Sequence, residues 1–117
     1  MKSIEIISIP VTDQEKSKKF YAKLGFQLLA EAPFGKDQKW VQMGFPGQDA
    51  SITFVTWFPN MPPGCINGFV VKTDDIKTEI EDLTARGIET GKVDDTPWGK
   101  FVSVKDPDGN SITFHQN

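Results

Sequence analysis

The side chains that could do chemistry are few, and their types suit recognition better than reaction. His115 is the only histidine. As a general base it would need a pocket and an orienting partner, and as a metal ligand it would need companions that the sequence does not supply. It reads more simply as a strand residue at the rim of a site. Cys65 is the only cysteine, with no neighbouring cation to make it a reactive thiolate. Four aromatic residues, Trp40, Trp57, Trp98 and Phe101, offer flat faces on which a planar ligand would stack, although each ring could also serve the core. Gln42, Thr53, Ser103 and Thr113 lie close to them in sequence and would supply the few oriented polar contacts of such a pocket. Asp94, Asp95 and Glu31 would draw a cation to its mouth or simply keep the surface soluble.

An internal repeat positions these residues. Lys39-Trp40-Val41-Gln42-Met43, a turn, and Ser51-Ile52-Thr53-Phe54 are answered by Lys100-Phe101-Val102-Ser103-Val104, a turn, and Ser111-Ile112-Thr113-Phe114. Each is an alternating hairpin. Upstream, Val11-Thr12-Asp13 and a helical run to Leu24-Gly25-Phe26 match Thr73-Asp74-Asp75 and a run to Arg86-Gly87-Ile88. Asp13 and Asp75 are N-caps, and Gly25 and Gly87 end the helices.

The first copy therefore reads as a strand over 3–11, a helix, a strand over 26–31 and hairpin strands over 39–43 and 50–58. In the first strand Ile7, Ile9 and Val11 share a face. The Pro-rich stretch 60–64 is a linker. The second copy reads as a strand over 68–73, a helix carrying Ile76, Ile80 and Leu83, a short strand over 88–92, a loop over 94–97 and the closing hairpin. The expected fold is α+β, βαβββ twice, in a single domain over 1–117 with modules at about 1–60 and 66–117.

Phase assigns the faces. If Ile52, Phe54, Ile112 and Phe114 turn toward the helices, then Thr53, Val55 and Trp57, and likewise Thr113 and His115, turn the other way. Through the repeat, Trp40 and Gln42 match Phe101 and Ser103, which gives a cup with aromatic walls.

Composition removes several function classes. A net charge of −3, with its one dense basic run at 16–19 on a helix, argues against nucleic acid. No apolar run approaches the roughly 20 residues of a membrane span. A lone cysteine suits a reducing cytoplasm.

The chain resembles the vicinal-oxygen-chelate superfamily, which groups glyoxalase I, extradiol dioxygenases, and fosfomycin and bleomycin resistance proteins. The resemblance rests on Ile9-Pro10-Val11-Thr12-Asp13, Lys16-Ser17, Phe20-Tyr21, Leu24-Gly25-Phe26, Pro97-Trp98-Gly99 and Asp106-Pro107-Asp108-Gly109-Asn110, together with the doubled order. It implies an open, U-shaped mixed sheet around a pocket, helices on the outer face, and a homodimer. Metal-using members place His, Glu or Gln at four inward strand positions. Here those positions align with Ile6, Thr53, Gly68 and Thr113, none of which is a strong ligand.

No metal, no other cofactor and no catalytic residue is therefore expected. The sequence leans toward a metal-independent protein that binds or sequesters a small aromatic or cationic molecule through Trp40, Gln42, Thr53, Trp57, Trp98, Phe101, Ser103, Thr113 and His115. The alternative is a glyoxalase-like lyase or isomerase, or a dioxygenase, with unusual metal ligands.

Overall fold

Asp13 and Asp75 start the two helices in the same way. Each sits in an extended conformation, and each carboxylate accepts from the first helical turn, Asp13 from the amides of Glu15 and Lys16 and Asp75 from that of Thr78. Around these helices the chain runs β1 (Ile6–Pro10), α1 (Gln14–Leu24), β2 (Gln27–Pro33), β3 (Lys39–Gly44), β4 (Ser51–Val55), β5 (Phe69–Lys72), α2 (Ile76–Ala85), β6 (Asp94–Thr96), β7 (Gly99–Lys105) and β8 (Ser111–Gln116). The computed structural model describes the whole chain, Met1–Asn117. The α+β, twice-βαβββ order expected from the repeat is the order found.

The strands form two four-stranded mixed sheets, ordered β1-β4-β3-β2 and β5-β8-β7-β6. In each sheet the first strand runs parallel to the last, and the others are antiparallel. The parallel neighbour is possible because a helix makes the crossover. Ile52, Phe54, Ile112 and Phe114 are all buried toward the helices, as phase required. With Ile9, Val41, Met43, Val102 and Val104 they meet Tyr21, Leu24, Ile76 and Leu83 in one cluster that crosses both modules. Each fully buried side chain of this kind contributes about 1.5–3 kcal/mol.

A buried polar joint also spans the modules. The Asp106 carboxylate, 5 % exposed, accepts from Tyr21 Oη at 2.9 Å, from the amides of Asp108 and Asn110 at 2.9 Å each, and from Asn110 Nδ2 at 2.8 Å. These donors satisfy a charge that would otherwise be costly to bury. Asn110 Nδ2 also donates to Pro10 O, and Asn110 Oδ1 accepts from Ile66 N, which fastens the start of β5 to the end of β1. The linker packs closely on this turn. A Cβ at Gly64 (φ 87°) would stand 2.3 Å from Asp108 O, so only glycine fits.

One expected element is displaced. Residues 88–92 form no strand, and the expected loop at 94–97 holds β6 instead, paired with β7 through Asp94 to Phe101, Asp95 to Lys100 and Thr96 to Gly99. Ile88 is apolar because it plugs the core as the chain crosses it, not because it sits in a ladder. The tight turn that creates β6 is held by Thr96 Oγ1, which donates to Gly99 O at 2.7 Å and accepts from Trp98 N at 3.2 Å.

Four strands have one unpaired edge. The outer ones are blunted: β2 carries a bulge between Leu28 and Ala30 and ends in Pro33, and β6 is three residues long and begins Asp94-Asp95. The inner ones, β1 and β5, pair only with β4 and β8. Ile7 shares the phase of buried Ile9 and Val11, yet it is 42 % exposed, because it borders that open edge.

Candidate ligand-binding site

The β3–β4 hairpin builds the first group of expected site residues. Gln42 lies directly opposite Thr53, so their side chains share a face. A relay orders it: Trp40 Nε1 donates to Gln42 Oε1 at 3.0 Å, Gln42 Nε2 to Ser51 Oγ at 2.8 Å, and Ser51 Oγ to Glu5 O at 3.0 Å. The relay fixes which way the Gln42 amide points. Thr53 is buried, and its hydroxyl donates to Val41 O at 2.9 Å. Phe34 sets its edge against both Trp40 and Trp57, with centroids 6.3 and 4.9 Å apart, and Trp57 meets Phe58 at 6.1 Å. Phe34 and Phe58 remain exposed, which leaves an aromatic patch at this end of the sheet.

The β7–β8 hairpin builds the second group. Phe101 lies opposite His115, and Ser103 opposite Thr113. The Phe101 and His115 rings stack, with centroids 4.5 Å apart and planes 17° from parallel. The Ser103 and Thr113 hydroxyls bond to each other at 2.7 Å. Trp98 stands on the β6–β7 turn, 78 % exposed, and its carbonyl lies 2.9 Å from His115 Nε2. A carbonyl only accepts, so Nε2 carries the proton of this bond. Gly99 (φ 127°) makes the approach possible, since a Cβ there would meet Gln116 O at 2.2 Å and His115 Nε2 at 2.7 Å.

Within the chain the nine expected residues therefore fall into two groups, one per sheet, with no hydrogen bond or ring contact between them. A groove of about 730 Å³ between the modules is lined by other residues, among them Ile7, Phe26, Phe45, Phe69, Val70 and Lys72.

Charge near the first group is internally balanced. Lys18 and Lys39 each pair with both Glu15 and Glu31. The glutamates are held below the usual carboxylate range, Glu15 chiefly by its bond to Lys39 and Glu31 chiefly by its bond to Lys18. Glu31 is thus already neutralised and is not free to attract a cation. In the joint between modules, burial first and the Asp106 charge second push the Tyr21 hydroxyl well above its ordinary range.

The four positions where metal-using relatives carry ligands do not fit a divalent ion. Ile6 and Gly68 have no side-chain donor atom, the Thr53 hydroxyl is spent on Val41 O, and that of Thr113 is engaged with Ser103. No three His, Cys, Asp or Glu side chains come together elsewhere in the chain.

Sequence reasoning missed Phe34 and Lys72 and gave Asp94 a different setting. Phe34 completes the ring cluster, and Lys72 and Asp94 stand beside the Phe101–His115 stack, opposite His115 and Phe101 respectively. Phase alone would have put Lys72 on the face of Val70. Asp94, expected in a loop over 94–97, stands instead on β6 in register with Phe101.

Comparisons with known proteins agree with this architecture. A family model described as Glyoxalase/Bleomycin resistance protein/Dioxygenase superfamily matches residues 3–114. The chain is similar to TnmS3, an antibiotic binding protein from Streptomyces sp. CB03234, with 41% identity, a TM-score of 0.93, and 99% and 96% of the two chains covered. It is also similar to a glyoxalase/bleomycin resistance protein from the same Streptomyces, with 43% identity, a TM-score of 0.86, and 97% and 100% covered. Protein YetH of Bacillus subtilis (strain 168) is 29% identical over 119 residues, 94% of each chain. By its doubled fold and by a match over nearly its whole length, the chain belongs to the glyoxalase/bleomycin resistance protein/dioxygenase superfamily.

Proposed function

We propose that this protein binds a small aromatic molecule and holds it unchanged, without a metal. The observation that carries this reading is the Phe101–His115 ring stack, beside which the Ser103 and Thr113 hydroxyls bond to each other and His115 Nε2 bonds to Trp98 O. Rings and a few fixed dipoles are what a stacking site needs. A hydrolytic or lyase site would need a free nucleophile, base or Lewis acid, and the donors at the inward positions are poor. The similarity to an antibiotic binding protein supports the same reading.

The site is completed between two copies of the chain. The Trp40 group and the Phe101 group sit on separate sheets whose inner strands, β1 and β5, each keep an open edge. A second copy laid along those edges brings the first group of one chain to the second group of the other. The unpaired, exposed Cys65 suits a cytoplasmic setting.

The test is a thermal-melt screen of metal-stripped protein against planar aromatic compounds and against divalent ions, with each bound compound recovered and its mass measured. A ligand at a hundredfold excess over its Kd adds about 2.7 kcal/mol of stability. The expected result is a shift with aromatic compounds, which come back unaltered, and none with ions. Turnover of a compound, or a shift that requires an ion, would overturn the proposal.

A further inference from the structure

Four residues stand in one row across the inner face of the second sheet. Lys72 on β5 is the register partner of His115 on β8, His115 is opposite Phe101 on β7, and Phe101 is opposite Asp94 on β6. Directly paired residues project from the same face of a sheet, so the order along it is ammonium, imidazole, phenyl, carboxylate. The centre of the row is aromatic, with the His115 and Phe101 rings stacked on each other 4.5 Å apart and 17° from parallel.

The two ends are not equivalent. At one end, two nitrogen-bearing side chains stand on adjacent strands. Lys72 is exposed and takes part in no ion pair, unlike Lys18 and Lys39, which are bound up with Glu15 and Glu31. His115 commits its Nε2–H to Trp98 O, so the Lys72 ammonium is the donor left at this end for an anionic group. At the other end Asp94 stands alone on a three-residue strand, and its neighbour Asp95 pairs with Lys100 on the opposite phase. Lys72 also borders the groove of about 730 Å³, next to Val70, so a group bound there has room to extend.

The geometry points to a ligand class: a planar aromatic acid, its ring system against Phe101 and His115 and its carboxylate or phenolate on Lys72. This inference rests on the aromatic-binding reading and adds the charge of the ligand and the residue that selects it. Charge-assisted hydrogen bonds from an ammonium exceed neutral ones in strength, by enough for tenfold or more in affinity.

The experiment uses three fluorescent probes of one shape, anthracene-2-carboxylate, anthracene-2-carboxamide and 2-(aminomethyl)anthracene, titrated into the full-length protein and into Lys72→Gln. The acid is expected to bind roughly tenfold tighter than the amide, and Lys72→Gln is expected to bring that ratio to about one. Equal binding of all three probes, tighter binding of the amine, or an acid preference that survives Lys72→Gln would overturn the inference and leave the aromatic-binding reading standing. If none of the three binds, the aromatic-binding reading itself falls. Lys72→Arg, which keeps the charge, should retain the preference for the acid.

Discussion

The hydroxyl of Tyr21, on the helix of the first module, donates a 2.9 Å hydrogen bond to Oδ2 of Asp106, in the last turn of the second. Both residues are buried, and the carboxylate has three further donors. Tyr21→Phe removes one of four without changing shape, so the cost should be that of a single bond to a charged group, about 1.5–3 kcal/mol. Urea denaturation measures it. A loss below about 0.5 kcal/mol would mean that the joint does not hold the modules together.

Asp106→Leu should be far worse than Tyr21→Phe, because it strands the Tyr21 hydroxyl, two backbone amides and an Asn110 amide at once. Each stranded buried group costs about 1–3 kcal/mol, so little folded protein is expected. Circular dichroism and size-exclusion chromatography would register the loss.

Ser17 makes the opposite prediction. It is fully buried in α1, and its hydroxyl has no partner. Ser17→Ala removes an unsatisfied polar group and installs a better helix former, and should stabilise the protein by about 1 kcal/mol. A fall in Tm would show that the hydroxyl is satisfied in solution.

The paired carboxylates set an acid limit. Glu15 and Glu31 have native pKa values below the ordinary 4.5, so their contribution is present above that value and is lost as pH falls through the lower native ones. Stability should therefore decline below about pH 4.5. Lys39→Met should flatten part of that decline, with only a small effect at neutral pH because the cluster lies at the surface. Melting curves across pH at low and high salt test both statements, since screening should blunt the effect.

Gly99 tests the architecture of the Trp98–Phe101–His115 group. Gly99→Ala would force a Cβ into Gln116 O and the His115 ring. It should unseat the Trp98–His115 contact, weaken aromatic binding, and leave the first module's ring cluster intact. Tryptophan fluorescence and probe titration on the same sample separate these effects.

Much of this was legible from local rules. The twin aspartate caps, the glycine helix ends and the repeated Ser-Ile-Thr-Phe strands each specify their conformation within a few residues, and Ile52, Phe54, Ile112 and Phe114 fell on the core side as their alternation required. What stayed hidden depends on distant partners. β6 exists because the Thr96 hydroxyl closes a turn, while apolar Ile88 imitates a strand residue by plugging the core. The Lys72 row needs the register of three strand pairs. The neutralisation of Glu31 needs a lysine from α1 and another from β3.

The contrast between blunted and open strand edges limits what the chain can polymerise into. With the bulge and Pro33 closing one flank and Asp94-Asp95 the other, growth by sheet extension can start only at β1 and β5. Two chains that satisfy each other's β1 and β5 leave nothing for a third to add to. In the proposed pairing of two copies, the short inner strand Phe69–Lys72, unpaired along one side, would thereby be closed off and kept from building fibres.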